Sequence, residues 1–319
     1  MTTGTQLLAV LAIVHGASDT VLAALALTLA TWVASASSVA LAGEWRRFRP
    51  RIGRHIASLI ARSLPLGAAA IAISVYYSID TVLLGLFRSP NEVAYYAAAY
   101  RIILPILALA GAVGTVAIPR LSLLEAADPG SADEAAARLS RQMILWALPV
   151  AVGGAIVAGP LVRTVYGPDF TPAELPFRIL IFSVLTVYTN AAFAFLMLAE
   201  HRDRRYLMAT ATGAILNVGL NVVVIPVAGM IGAAVTTMVS EVAVACLILW
   251  WTRRVSRTAM IRTARVAVAP ILAMAVAVWP VRDSLFAIPV GAVVYGLVLV
   301  LTGTIPVAWL VDRSRRWEI

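Results

Sequence analysis

A polytopic, all-α bundle of transmembrane helices follows from three properties of this chain. Hydrophobic residues make up 61% and charged residues 13%, with a mean hydropathy of +0.90. Soluble domains run at roughly 45–50% and about 25%, so a water-soluble globule is excluded. The apolar residues also come in unbroken runs of about 20 instead of alternating, as lipid-spanning helices require and barrel strands do not. Finally, arginine crowds every second gap between these runs: Arg46, Arg47, Arg49, Arg51 and Arg54; Arg202, Arg204 and Arg205; Arg253, Arg254, Arg257, Arg262 and Arg265. With Arg120, Arg138, Arg141 and the tail residues Arg313, Arg315 and Arg316, these gaps hold 19 of the 25 basic residues. The positive-inside rule assigns them to the cytoplasm, which puts both termini on the cytoplasmic side of the plasma membrane.

The elements follow in order. Residues 5–16 are apolar but too short to span, and the stretch lacks the basic n-region of a signal peptide, so it reads as a partial helix. Nine full spans are expected after it, at about 20–42, 64–87, 93–118, 142–162, 173–198, 206–227, 231–251, 266–281 and 284–311. Between the first two, residues 44–60 mix arginines with Trp45, Phe48 and Ile52, which suits a helix lying in the headgroup layer. After an Asp-Pro-Gly turn at 128–130, Ser131 and Glu134 form a capping-box pattern that starts an alanine-rich helix, read as a solvated spacer or a regulatory surface. Pro65, Pro105, Pro149, Pro226, Pro270, Pro289 and Pro306 lie within or at the ends of spans and predict bends.

Several chemistries are excluded at this level. Cys246 is the only cysteine, and His15, His55 and His201 are far apart, so neither a disulfide framework nor a zinc site follows and no cofactor is expected. The net charge of +9 resides in short loops beside apolar runs, which matches anionic membrane lipids and not nucleic acid.

Ionisable groups at bilayer depth cost about 2.5 kcal/mol or more, which makes each one a candidate site. Asp80 and Arg101 lie about ten residues on either side of a turn at Pro90 and Asn91, so at about 1.5 Å per residue both are roughly 15 Å deep. A hairpin brings them level. Two readings follow: a structural ion pair, or a substrate site in which the Arg101 guanidinium grips phosphate in a bidentate fork. Glu241 and Asn217 stand about equally far from a turn at Gly229 and Met230, as a hydrogen-bonded helix pair or as a proton or ion site.

A series of motifs adds a resemblance. Asp80 with its small apolar run, a polar turn, Glu92–Tyr96 (Glu-Val-Ala-Tyr-Tyr), Ala99-Tyr100-Arg101 and Ile118–Ser122 (Ile-Pro-Arg-Leu-Ser) come in that order, followed by YGPDF at 166–170, NVGLNVVVIP at 217–226 and GMIGAAVTTMVSE at 229–241. The series resembles polysaccharide-exporting flippases of the O-antigen and teichoic-acid type, in the multidrug/oligosaccharidyl-lipid/polysaccharide superfamily, and their lipid II flippase branch. The resemblance implies a transporter without covalent chemistry, which flips an undecaprenyl- or polyprenyl-phosphate-linked oligosaccharide by alternating access between two lobes. It implies that residues 1–43 are the end of an N-terminal lobe, 44–63 a linker, 64–251 a C-terminal six-helix lobe, and 252–319 two additional helices and a tail. Most of the first lobe is then absent, to be supplied by an upstream segment or a partner subunit. The arginine matching Arg101 lines the substrate cavity in the lipid II branch, which implies the same for Arg101. Alternatives are a drug/cation antiporter of the same superfamily, a membrane glycosyltransferase or ligase, or a non-transporting half-protein. The glycosyltransferase would need a polar catalytic loop, and the longest loops offer only Glu125, Asp128, Asp133 and Glu134.

Overall fold

The structure is a computed structural model that describes residues 54–304 together with Leu29, Trp32 and Val33. The partial helix at 5–16, most of the span at 20–42, the first half of the basic linker and the arginine tail lie outside the described residues. Between residues 54 and 304 nine α-helices follow one another: α1 (Arg54–Phe87), α2 (Pro90–Ala127), α3 (Pro129–Ile156), α4 (Ala158–Tyr166), α5 (Glu174–Leu180), α6 (Phe182–Ala199), α7 (Asp203–Trp251), α8 (Arg253–Val278) and α9 (Ala287–Leu301). Single 3₁₀ turns occupy Pro168–Ala173 and Trp279–Val281. No strand occurs among the described residues. Among the described residues six helical segments, counting Asp203–Trp251 as one, are long and apolar enough to cross a membrane.

Local chemistry sets the breaks. At the start of α2, Ser89 Oγ accepts the Glu92 N–H at 3.4 Å and Pro90 takes the first helical position, where its missing N–H costs nothing. The turn into α2 is therefore Arg88–Ser89, two residues earlier than the sequence pattern placed it. Asp128, not Ser131, caps α3: its carboxylate accepts the N–H groups of Gly130 and Ser131, both at 3.1 Å. The Asp-Pro-Gly turn thus contains the cap itself. The alanine-rich helix and the next span are one element, which ends at Ile156. The arginine-rich stretch 253–265 is likewise the first half of α8 and not a loop.

Gly229 divides α7, with φ +57° and ψ −141°. Contacts across the break run antiparallel. Thr236 meets Asn221, Val244 lies over Gly213, and Val224 lies over Gly232. The 49-residue helix is therefore a tight hairpin whose arms match the two spans expected at 206–227 and 231–251. A neighbouring turn locks its bend: Glu92 Oε2 accepts the Met230 N–H at 3.1 Å, Arg88 Nη1 reaches Pro226 O at 3.5 Å, and Arg88 and Glu92 are paired at 3.0 Å.

Helix α6 is the axis of the bundle and packs against α2, α3 and α7. Its buried face carries Val184, Ala191, Ala192, Phe193, Leu196 and Met197. Helices α8 and α9 pack together and onto α3, with Met274, Val278 and Tyr295 in a smaller core. Large apolar side chains face outward along most helices, among them Val116, Leu123, Ile215, Val223, Val276 and Leu301. A water-soluble surface would not tolerate such a coat, and lipid requires it.

Candidate functional site

The polar centre of the bundle is built around Asp80. Its side chain is 2% exposed and accepts three hydrogen bonds: from Tyr96 Oη at 2.5 Å, from Thr237 Oγ1 at 2.6 Å and from Asn221 Nδ2 at 2.5 Å. Helices α1 and α2 and both arms of α7 meet there. Asn221 also donates to Asn217 Oδ1 at 3.1 Å and accepts from Thr236. Tyr76 Oη donates to the Thr237 carbonyl at 3.0 Å. Every residue in this network is buried, so its members exchange bonds with one another instead of with water, where an unmade bond would be expensive. Asn217 Nδ2 is the exception, buried without a partner among the described residues.

The expected meeting of Asp80 with Arg101 does not occur. The earlier turn at Arg88–Ser89 sets Asp80 level with Tyr96. Arg101 is five residues further along α2, about 140° around the helix and more than a turn deeper. It is exposed, and no ion pair includes it among the described residues. The structure leaves Asp80 held by hydrogen bonds, with no ion pair among the described residues, and Arg101 facing away from the network.

Glu241 and Asn217 also do not bond to each other. The hairpin does bring them to a common depth, as the symmetric spacing about Gly229 requires, but their side chains diverge. Asn217 faces the Asp80 network, whereas Glu241 lines a cavity of about 260 Å³ with Tyr76, Tyr77, Asn190, Tyr206 and Thr210. Sequence reasoning missed Tyr96, Asn221 and Thr237. The signal was present: Asn217 and Asn221 are one turn apart in an otherwise apolar span, facing the threonine pair Thr236-Thr237 across a glycine turn.

The groups around Asp80 are two hydroxyls and an amide NH₂, all of which donate to its single carboxylate, and neither thiolate nor imidazole is among them. No cluster of three His, Cys, Asp or Glu residues exists among the described residues.

A second cavity, of about 620 Å³, is apolar and lies between α2, α3, α8 and α9, with Trp146, Phe177, Met274 and Tyr295 in its walls.

Comparison with known proteins places this architecture. The fold is shared with a lipid II flippase, MurJ, in its inward closed conformation, at a TM-score of 0.74 and 14% identity over 94% of this chain and 65% of that one. An outward-facing multidrug transporter of the MATE family matches at 0.55 with 20% identity over 68% of this chain and 53% of the other. A MOP superfamily transporter from Pyrococcus furiosus matches at 0.55 with 17% identity over 75% and 63%. At these identities the likeness is one of fold. In sequence, the probable flippase AglR of Haloferax volcanii is 29% identical over 175 residues, which cover 52% of this chain and 35% of AglR. The chain thus spans about a third of AglR and somewhat under two thirds of MurJ. A family model described as "Polysaccharide biosynthesis protein" matches residues 2–174, more than half of the chain, and this multi-pass membrane protein belongs to that family.

Proposed function

We propose that the protein flips a polyprenyl-phosphate-linked oligosaccharide across the plasma membrane during cell-surface polysaccharide assembly. The observation that carries the proposal is the family match together with a fold shared with a lipid II flippase. No covalent step is needed. Binding energy and a change in lobe orientation move a polar head group across the bilayer. AglR and MurJ both extend beyond the part this chain spans, so the proposal includes a facing lobe or partner subunit that completes the path. The arginine asymmetry puts the ends of α2 and α3 around Asp128 and the α6–α7 connection in the cytoplasm, and the Arg88–Ser89 and Gly229 turns outside.

Within this reading Arg101 is the ligand for the lipid phosphate. A guanidinium in the middle of an apolar helix, with no acidic partner among the described residues, is what a bidentate phosphate contact requires. Asp80 supports the site indirectly, by fixing α1, α2 and the α7 hairpin in one arrangement. The MATE likeness leaves drug/cation exchange as the second reading, with lower structural agreement and shorter coverage.

The test is flipping of a fluorescent polyprenyl-pyrophosphate disaccharide in liposomes containing the full chain. Transport by the parent and at least a tenfold loss in Arg101→Lys, which keeps the charge but loses the fork, is the expected result. Parental rates in Arg101→Lys would remove Arg101 from the site. Organic-cation uptake without lipid movement would favour the antiporter.

A further inference from the structure

Glu241 is the carboxylate that the network around Asp80 leaves unused. It is 6% exposed, twelve residues past Gly229 and so roughly 18 Å from that turn. Among the described residues no arginine or histidine forms an ion pair with it. It lines the open-sided cavity of about 260 Å³ whose walls are α1, α2, α6 and both arms of α7. Among the described residues the titratable groups facing it are all phenols: Tyr76 and Tyr77 from α1, Tyr206 from the first arm of α7, and Tyr100 of α2 behind Tyr77, with ring centroids 6.3 Å apart. Asn190 of α6 and Thr210 of α7 supply the other polar side chains, and α2 contributes only Leu107, Ala110 and Gly111 to the wall.

We propose that this cavity is a cation site, in which Glu241 binds one small monovalent cation, a proton or a hydrated alkali ion. The chemistry narrows the ligand by elimination. An anionic phosphate would meet a carboxylate and no positive charge. A dication would leave net charge in a low-dielectric interior, and its usual shell of six or more oxygens includes several carboxylates, of which the cavity has one. Drug-sized ligands occupy roughly 300–1,000 Å³, so the space is small for a sugar phosphate yet holds several waters. A monovalent cation neutralises Glu241 and takes phenol and amide oxygens as its remaining partners.

The site adjoins the Asp80 network without sharing its carboxylate. Tyr76 and Asp80 are one turn apart on α1, and Thr237 and Glu241 are one turn apart on α7. Tyr76 Oη bonds the Thr237 carbonyl on the cavity side while Thr237 Oγ1 bonds Asp80 on the other. Occupancy of the cavity is thereby mechanically linked to the three-helix junction.

The inference goes beyond flipping and is tested without lipid substrate, so its failure leaves the flippase reading intact. The full chain in lipid nanodiscs is titrated from about pH 5 to pH 9, in sodium chloride and in choline chloride, by infrared difference spectroscopy of the protonated carboxyl stretch. A titrating band is expected that disappears in Glu241→Gln, persists in Asp80→Asn and persists with a displaced midpoint in Glu241→Asp. A midpoint that moves by about one unit per tenfold change in sodium, the slope of one-for-one competition, identifies an alkali-ion site. Identical midpoints in the two salts identify a proton site. A band that survives undiminished in Glu241→Gln, or none that titrates, overturns the proposal. If Glu241→Gln fails to fold, a midpoint in Glu241→Asp unchanged from the parent does the same.

Discussion

Glu92 holds the backbone N–H of Met230 at 3.1 Å, joining two turns that are 138 residues apart. The bond exists because Gly229 adopts φ +57° and presents the next N–H to the neighbouring turn. A Cβ at Gly229 would collide with the Glu92 carboxylate and lie 2.9 Å from Arg88 Nε and Nη2. Gly229→Ala should therefore destabilise the protein by about 1–3 kcal/mol from backbone strain alone, read as a lowered melting temperature in detergent. A variant that melts with the parent would show that the turn relaxes freely.

Asp80 and Asn221 should behave as one unit. Asp80→Ala leaves three donors facing a void and is expected to cost about 1–3 kcal/mol for each donor that stays unpaired. Asn221→Ala removes one of those donors, so the double variant should be less damaged than the sum, with a coupling energy of about 0.5–3 kcal/mol. Thermal unfolding of the four proteins measures it, and strict additivity would refute the link.

Arg101 and Asp80 should separate in the same assay. Arg101 is exposed and makes no ion pair among the described residues, so Arg101→Ala should alter stability by no more than about 0.5 kcal/mol while abolishing flipping. Exchanging the two residues, Asp80→Arg with Arg101→Asp, should not rescue anything. It buries a guanidinium among Tyr96, Thr237 and Asn221, for which roughly 3–5 kcal/mol is the loss seen when a buried charge is left uncompensated. Recovery of parental abundance by the exchanged protein, followed by size-exclusion fluorescence, would contradict this geometry.

The contrast shows where sequence patterning succeeds and where it stops. Symmetric spacing about Gly229 disclosed the α7 hairpin and the common depth of Asn217 and Glu241, because depth depends only on rise per residue. The partner of Asp80 was not legible. It depended on a turn position shifted by two residues, set by the Ser89 cap, and on the rotation of α2 that selects Tyr96 over Arg101. Long apolar helices offer no polar face from which that rotation can be read, since every side is coated for lipid or for packing. The division of residues 253–265 failed for a related reason: arginines mark the membrane boundary, but they are good helix formers and do not end a helix.

Stability should also carry a pH signature from Glu200, in the connection between α6 and α7. Burial pushes its carboxyl above the ordinary 4.5, and Arg202, 3.1 Å away, offsets this only in part. Its Oε2 atom has no hydrogen-bond partner among the described residues. The folded state thus holds the proton more tightly than the unfolded chain, so this contribution is complete below pH 4.5 and is lost as pH rises through the folded-state value. Glu200→Gln should flatten that decline, raising the melting temperature at neutral pH and converging with the parent in acid. Parallel profiles for the two proteins would remove Glu200 from the account.

The three-way junction at Asp80 also imposes a timetable on biosynthesis. Asn221 and Thr237 lie 141 and 157 residues downstream of Asp80. At about 5–20 residues per second on the ribosome, Asp80 waits roughly 7–30 s for them. Over that interval Tyr96, only 16 residues away, is the sole donor of the three available to it. Nascent chains arrested before residue 221 should therefore remain bound by the insertion machinery, and release should coincide with entry of the α7 hairpin.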